Sequence, residues 1–473
     1  MRTRALFLFL AAAALAAAAP RPRQLPKLTV SQNKRFLATA DGKPFFYLAD
    51  TGWELLHRLD RKQAVEYLDK RASQKYTAIQ AVALAELDGV TAPNAYGDLP
   101  LIDKDPARPA VTPGSNFADA KAYDYWDHVE YIVDQANARG LYMALLPSWG
   151  RWVNNNAQGD ESLLTPQNAQ GYGEFLGKRF GKKGVIWILG GDRTPTGFEE
   201  TWRALARGIA IGASGKEDYD AVLMSFHPRG AETSSTWFHN DAWLDFNMHQ
   251  TGHGLADKTA SWARIAADYD RSPTKPVLDG EPLYEDHPLA FRAREHGYSF
   301  DAHVRQRAYW ATFSGACGHT YGNHSVWQMY APGRNPINGP LSYWYEAVNR
   351  PGAAQMQYVR MLIESRPYFS RVPDQTLVAN ALDGADRISG TRGDGYAFIY
   401  SAQGRKFTAS LGKISGARVK AWWYNPRTGT SSAAGEFDNT GARDFTCPSE
   451  GFGSDWVLVL DDASKNFGAP GKG

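Results

Sequence analysis

Eight short, nearly uninterrupted apolar runs, spaced by stretches of helical period, constrain this chain more than any other feature. They read FFYLADT (45–51), AIQAVALA (78–85), YMALLPSW (142–149) and GVIWILGGD (184–192), then AVLMSFHP (221–228), WLDFNMHQ (243–250), PVLDGEP (276–282) and GACGHTYGN (315–323). A strand with one wet face alternates apolar and polar residues, whereas a strand covered on both faces is apolar throughout. Between the first two runs, Asp60 is placed to cap a helix that carries Ala64, Val65, Leu68 and Ala72 on one face. A second helix is expected over 123–138, with Gly140 just past its end where a left-handed residue belongs. A third closes at Phe180 and a fourth spans 198–211. Eight strands alternating with helices predict an α/β architecture, the (β/α)8 TIM barrel. A doubly wound sheet would need a Gly-rich phosphate turn. Gly190-Gly191 follows the fourth run but lacks that spacing.

After about Pro367 the texture changes to short β-type runs between turns: YAFIYSA (396–402), KFTASLG (406–412), VKAWWYN (419–425) and DWVLVLD (455–461). These predict a small all-β sandwich. The expected organisation is therefore a signal peptide over 1–19, the barrel over 20–369, the β-sandwich domain over 370–462 and a flexible tail over 463–473. The first segment, MRTRALFLFLAAAALAAAA, has two arginines, an apolar run and small residues before Pro20. It reads as a secretory signal and predicts a secreted or periplasmic protein with no membrane association after cleavage.

Lys plus Arg number 52 against 50 Asp plus Glu, a formal charge of +2. That balance gives no electrostatic footprint for nucleic acid or an anionic surface, and no protein partner is implied. The two cysteines, Cys317 and Cys447, are too few for a disulfide scaffold and form no CxxC pair. A free, buried Cys317 is expected. Aromatic residues make up 13% of the chain, 15 of them Trp. They can fill a core or stack on the C–H faces of a sugar.

In a barrel of this kind, functional groups gather where strands end and loops begin. Run one ends in Asp50-Thr51-Gly52-Trp53-Glu54, run three in Ser148-Trp149, run four in Asp192 and run five in His227. Run six ends across Asn247, Gln250 and His253, run seven in Asp279-Gly280-Glu281 and run eight in His319, Tyr321 and Asn323. Carboxylates, amides and indoles together suit an oligo- or polysaccharide. Glycoside cleavage needs one carboxyl group to protonate the leaving oxygen and a second to attack or to activate water. Asp192 and Glu281, at the ends of runs four and seven, are the candidate pair. Asp192 would then have to be held protonated, and Glu281 kept ionised by donors such as Tyr321 or His253. A retaining enzyme places such carboxyl groups about 5–5.5 Å apart, an inverting one about 6.5–9.5 Å. Asp50 and Asp279 compete for these roles, or serve as hydrogen-bonding supports.

Two other readings stay open. A non-catalytic carbohydrate-binding protein could use the same groups with one carboxylate idle. A metal-dependent hydrolase could draw on His227, His249, His253 and His319, but the His-x-His that commonly opens such sites is missing from run one. No metal and no cofactor is expected.

The phrases DGKPFFYLADTGWELL, LPSWG, WILGGDR, FHP, WLDFNMHQTGH, KPVLDGEPLYE and GHTYGNHSVWQ resemble the apiosidase-like glycoside hydrolases. PGAAQMQYVRMLIESRP, WWYNPRTG and DWVLVLD resemble the β-domain that usually follows that barrel. The resemblance implies hydrolysis of glycosidic bonds in plant cell-wall polysaccharide, with the named activity at apiose in the rhamnogalacturonan-II region of pectin. It assigns Asp192 of GGD as acid/base and Glu281 of DGEP as nucleophile. Substrate contacts pass to Trp53, Trp149, His227, Asn247, Gln250, His253 and Tyr321; Asp50 is a further substrate-binding candidate from its place at the end of run one. Two departures stand out. Lys75-Tyr76-Thr77 replaces Gly-Phe-Asn before the second strand, and His249 replaces an aliphatic residue, which is expected to alter a subsite. The β-domain's family name refers to collagen, which no feature of 370–462 supports; a scaffold packed on the barrel is expected.

Overall fold

The structure, a computed structural model, describes residues 24–154, 162–255 and 260–472. The expected signal peptide lies outside the described residues. Among them no helix is long and apolar enough to cross a membrane.

A small antiparallel sheet, β1 (Leu28–Val30), β2 (Leu37–Thr39) and β3 (Pro44–Phe45), opens the chain. The eight apolar runs then each yield a strand. They are β4 (Tyr47–Thr51), β5 (Ala78–Leu84), β6 (Tyr142–Ser148), β7 (Val185–Gly190), β8 (Met224–His227), β9 (Asn247–His249), β10 (Val277–Asp279) and β11 (Gly318–Tyr321). Every residue of β4, β5 and β6 is buried, as continuous apolarity requires. The strands do not form one closed ladder. Six pair in parallel as a half-barrel sheet in the order β11-β4-β5-β6-β7-β8, and β9 and β10 form a separate parallel pair. The physical reason is length: β8, β9 and β10 have 4, 3 and 3 residues. At these two seams the backbone is bridged by Asp245 N–H to Met224 O, 2.9 Å, and by Cys317 N–H to Val277 O, 2.8 Å.

The helices follow their sequence signals. Asp60 caps Arg61–Ser73 in a reciprocal capping box with Gln63. Its buried face is Ala64, Tyr67, Leu68 and Arg71, while Val65 and Ala72 are only half-buried. Helix Tyr125–Ala138 ends before Gly140, whose φ of +81° is the left-handed conformation expected there. Helices Pro166–Phe180 and Glu199–Ser214 complete the covering layer on that side.

The C-terminal domain is all-β. A six-stranded antiparallel sheet runs β12 (Val372–Pro373), β13 (Ile388–Gly393), β14 (Tyr396–Ser401), β19 (Trp456–Asp462), β16 (Arg418–Tyr424), β17 (Ser431–Asp438). It is faced by the hairpin pair β15 (Phe407–Ser410) and β18 (Ala442–Phe445). The period of two sorts β14 and β19 between two cores. Ala397, Ile399, Leu458 and Leu460 point into the domain's own core with Phe407 and Phe445. Tyr396, Phe398, Tyr400, Val457 and Val459 join the core of the parallel domain. Across that seam Tyr400 stacks on Tyr309 at 4.7 Å, and Arg305 meets Asp455 at 2.8 Å with both side chains buried. The tail expected to be loose is instead held. Arg366 lies over the Phe467 ring and donates to the Gly468 carbonyl, after a turn at Ala463–Lys465. Cys317 and Cys447 are both free and buried.

Candidate active site

A pocket of about 470 Å3 opens at the C-terminal ends of the parallel strands. Trp53 reaches it from just beyond β4, Glu86 from beyond β5, Trp149 from β6, Asp192 from β7, Gln250 and His253 from β9, and Glu281 and Tyr284 from β10. Strand ends are where this architecture leaves backbone and side chains free to converge.

Glu281 is the most constrained group. Gly280 ahead of it donates to His249 O at 2.8 Å and accepts from Gln80 Nε2 at 2.9 Å, and a Cβ at this glycine would meet Met248 Sδ at 2.4 Å. The glycine therefore fixes the direction in which Glu281 leaves the strand. His253 Nε2 lies 3.2 Å from Glu281 Oε1, and His227 Nε2 lies 3.1 Å from Oε2, close though poorly aligned. Trp53 Nε1 donates to the Tyr284 hydroxyl at 3.1 Å, and burial and the nearby Glu281 charge keep that hydroxyl protonated. Burial alone would raise the Glu281 pKa. The two histidines outweigh it and hold the group at about 2.

Asp192 has the opposite environment. Burial raises its pKa, and the negative charge of Glu281 raises it further against the pull of His227 and Arg193. Its side chain is 39% exposed through the pocket, with Arg193 at 3.6 Å and Gln250 lining the same pocket. The backbone explains the Gly-Gly-Asp phrase. Gly190, Gly191 and Asp192 all have positive φ, +93°, +124° and +52°. A Cβ at Gly191 would fall 2.6 Å from the Trp149 ring. The two glycines make the turn and the close approach possible, and Asp192 bears the residual strain.

Glu86 is a third carboxyl group in the pocket, pushed up to about 7 by burial and by the charge of Asp192. Strand-end reasoning passed over it, although it follows the AIQAVALA run directly. Tyr284 was missed too, three residues beyond Glu281. The rest of the wall includes Arg229, His287, Phe291, His324 and Trp327.

Three of the residues expected at the site are elsewhere. Asp50 is buried behind the strands, accepting from Arg71 Nε at 2.6 Å and Tyr67 at 2.5 Å. Tyr321, the expected donor to Glu281, gives its hydroxyl to Glu285 at 2.6 Å. Asn247 is buried and paired with His239, 3.2 Å from its Nδ1. His227 acts on the site through Glu281 and packs between Trp53 and Trp149, at 5.4 and 5.7 Å. Asp279 is a support, bonded to Thr251 at 2.6 Å. His249 faces Asp268 at 2.9 Å, away from the pocket lining, so it alters no subsite wall. Among the described residues, no group of three or more His, Cys, Asp or Glu is placed to hold a metal ion.

This fold with this pocket defines a glycoside hydrolase. A crystal structure of a glycoside hydrolase family 5 protein from Bacteroides vulgatus ATCC 8482 is similar at a TM-score of 0.83 and 35% identity, over 94% of this chain and 96% of that one. A second structure, described as a glycoside hydrolase, is similar at a TM-score of 0.83 and 36% identity, over 94% and 98%. The chain belongs to the apiosidase-like family, whose catalytic-domain model matches residues 31–370. Residues 372–461 match the model of a domain described as the collagen-binding domain of a collagenase. A comparison with curated protein sequences returns no match.

Proposed function

We propose that this protein is an exported retaining glycoside hydrolase that cleaves glycosidic bonds in apiose-containing pectic glycans, on a closed (β/α)8 barrel. Asp192 is its acid/base and Glu281 its nucleophile. The observation that carries the reading is one pocket in which two carboxyl groups are driven apart, Glu281 down to about 2 and Asp192 upward. Opposed shifts of this kind separate an acid from a nucleophile. Mere sugar binding gives no reason for them.

In the first step a Glu281 oxygen bonds to the anomeric carbon while the bond to the leaving oxygen breaks, and Asp192 transfers its proton to that oxygen. Once Glu281 is esterified its negative charge is gone. The part of the Asp192 shift that came from the Glu281 charge then vanishes, so Asp192, its proton already given to the leaving group, stays ionised and as the carboxylate takes a proton from water. Water adds to the anomeric carbon, and Glu281 leaves as the carboxylate that His227 and His253 hold. The indole faces of Trp53, Trp149 and Trp327 suit sugar rings. Trp149 Nε1, Gln250 Oε1 and His253 Nδ1 are buried without a hydrogen-bond partner, and pocket-lining groups of this kind suit sugar hydroxyls.

The test is incubation with rhamnogalacturonan-II side-chain oligosaccharides, with and without chelator, read by mass spectrometry. Chelator-insensitive release of an apiose-containing or apiose-terminated fragment is expected. Intact oligosaccharides after prolonged incubation with folded enzyme would overturn the substrate.

A further inference from the structure

Glu54 is a buried carboxylate that the chemistry above leaves unused. Its side chain is 0% exposed, and it directly follows the pocket residue Trp53. Taking such a group out of water costs free energy that an ion pair seldom returns in full. Its charged partners are local. Oε2 lies 3.2 Å from His57 Nδ1 and 3.6 Å from Arg58 Nε, both on its own helical turn, Leu55–Arg58. Two other bonds leave that turn. Glu54 Oε1 accepts the Leu87 N–H at 3.0 Å, and the Glu54 main-chain N–H donates to Trp327 O at 3.2 Å. Glu54 therefore joins three strand ends that line the pocket: its own with Trp53, the second with Glu86 beside Leu87, and the eighth with Trp327.

The bond to Leu87 carries the argument. The peptide between Glu86 and Leu87 is one rigid plane, and it is held at both ends. Glu54 takes its N–H, and Arg151 Nη1 donates to its carbonyl oxygen at 3.0 Å. One peptide earlier, Trp152 Nε1 donates to Ala85 O at 2.9 Å. The fixed plane sends the Glu86 side chain into the pocket, where it is half-buried and, among the described residues, has no side-chain hydrogen bond or ion pair. There it meets Asp192, the charge that acts on it most, ahead of Arg193, Glu54 and Glu281. Asp192 in turn faces Glu281, His227 and Arg193. Two carboxyl groups in one pocket repel, so a free loop would let Glu86 swing away. The support has to come from the backbone, and Glu54 supplies one end of it.

We propose that Glu54 is a positioning residue that acts through Glu86: by holding the 86–87 peptide it keeps the Glu86 carboxyl against the acid/base Asp192. This rests on the glycosidase reading above.

Two substitutions separate the bond from the charge. Glu54→Asp keeps the charge and withdraws the oxygen from Leu87 by a methylene, whereas Glu54→Gln keeps the reach and removes the charge. The titration of Asp192 is followed by NMR on protein carrying carbon-13 at its aspartate carboxyl groups, the signal being identified by its loss in Asp192→Asn. The alkaline limb of kcat/KM is recorded alongside. Glu54→Asp is expected to move the Asp192 titration to lower pH by most of the shift that Glu86→Gln produces, and Glu54→Gln to stay close to wild type. In a Glu86→Gln background Glu54→Asp adds nothing, and Glu66→Gln on the exposed face of a helix changes nothing. An Asp192 titration unmoved by Glu54→Asp overturns the assignment. So does a further shift in the double variant, or a shift with Glu54→Gln as large as with Glu54→Asp. If the titration behaves as expected while the folded enzyme cleaves no glycoside, the glycosidase reading alone falls.

Discussion

His253 Nε2 stands 3.2 Å from Glu281 Oε1, and its ring stacks on His287 at 4.0 Å. The second contact fixes the plane of the imidazole, so the first is held in register by packing rather than by chance. Glu281 is thereby kept ionised at a buried position.

The stability of the fold should carry this signature. The Glu281 pKa is depressed from its ordinary 4.5 to about 2. Its stabilisation is therefore complete above about pH 4.5 and is lost as pH falls through about 2. Thermal unfolding of wild type and Glu281→Gln should differ most near neutral pH and converge as the pH approaches 2. A gap that widens on acidification would contradict the assignment.

Asp192→Asn should separate substrates by leaving group. Aryl glycosides with activated phenols leave without a proton, whereas sugar alcohols do not. A loss of about a hundredfold or more in kcat/KM is expected for the sugar leaving group, and far less for the activated one. Equal losses would remove Asp192 from the acid role.

After burial, the charge of Asp192 is what raises the Glu86 pKa, and a charge–charge interaction acts on both partners. Replacing Glu86 by Gln takes away a negative neighbour, so Asp192 should ionise at lower pH. The alkaline limb of kcat/KM should then move toward acid. A limb that stays in place would show that the two groups do not communicate.

Asp50→Ala should damage stability before chemistry. It leaves Arg71 buried without its carboxylate, a loss of the order of 3–5 kcal/mol. Denaturant unfolding should register that loss, while kcat per folded molecule stays near wild type. A collapse of kcat in stably folded protein would return Asp50 to the site.

The strands and the placing of Asp192 and Glu281 in one pocket were legible because burial on both faces leaves a plain mark in sequence, and because both residues stand just past strand ends. Side-chain direction was not legible. Tyr321 pairs with Asp50 in the β11–β4 register, and residues opposite one another share a face. That shared face turns both toward the helix layer and Arg71, one residue out of phase with the pocket. Asn247 fails likewise, meeting His239 instead. The division of the strand ladder was not legible, since β9 and β10 are only 3 residues each and hydropathy does not report strand length. The missed strands β17 and β18 are mostly exposed, with small or polar residues that carry no apolar alternation.

The central claim is that Glu281 bonds covalently to the sugar. The most direct measurement is turnover of an activated aryl glycoside by Glu281→Gly with sodium azide, with folding checked by circular dichroism. The account predicts negligible turnover without azide. With it, turnover is restored and yields a glycosyl azide whose anomeric configuration is opposite to that of the substrate. Full activity without azide, or azide rescue confined to Glu86→Gly, would contradict it.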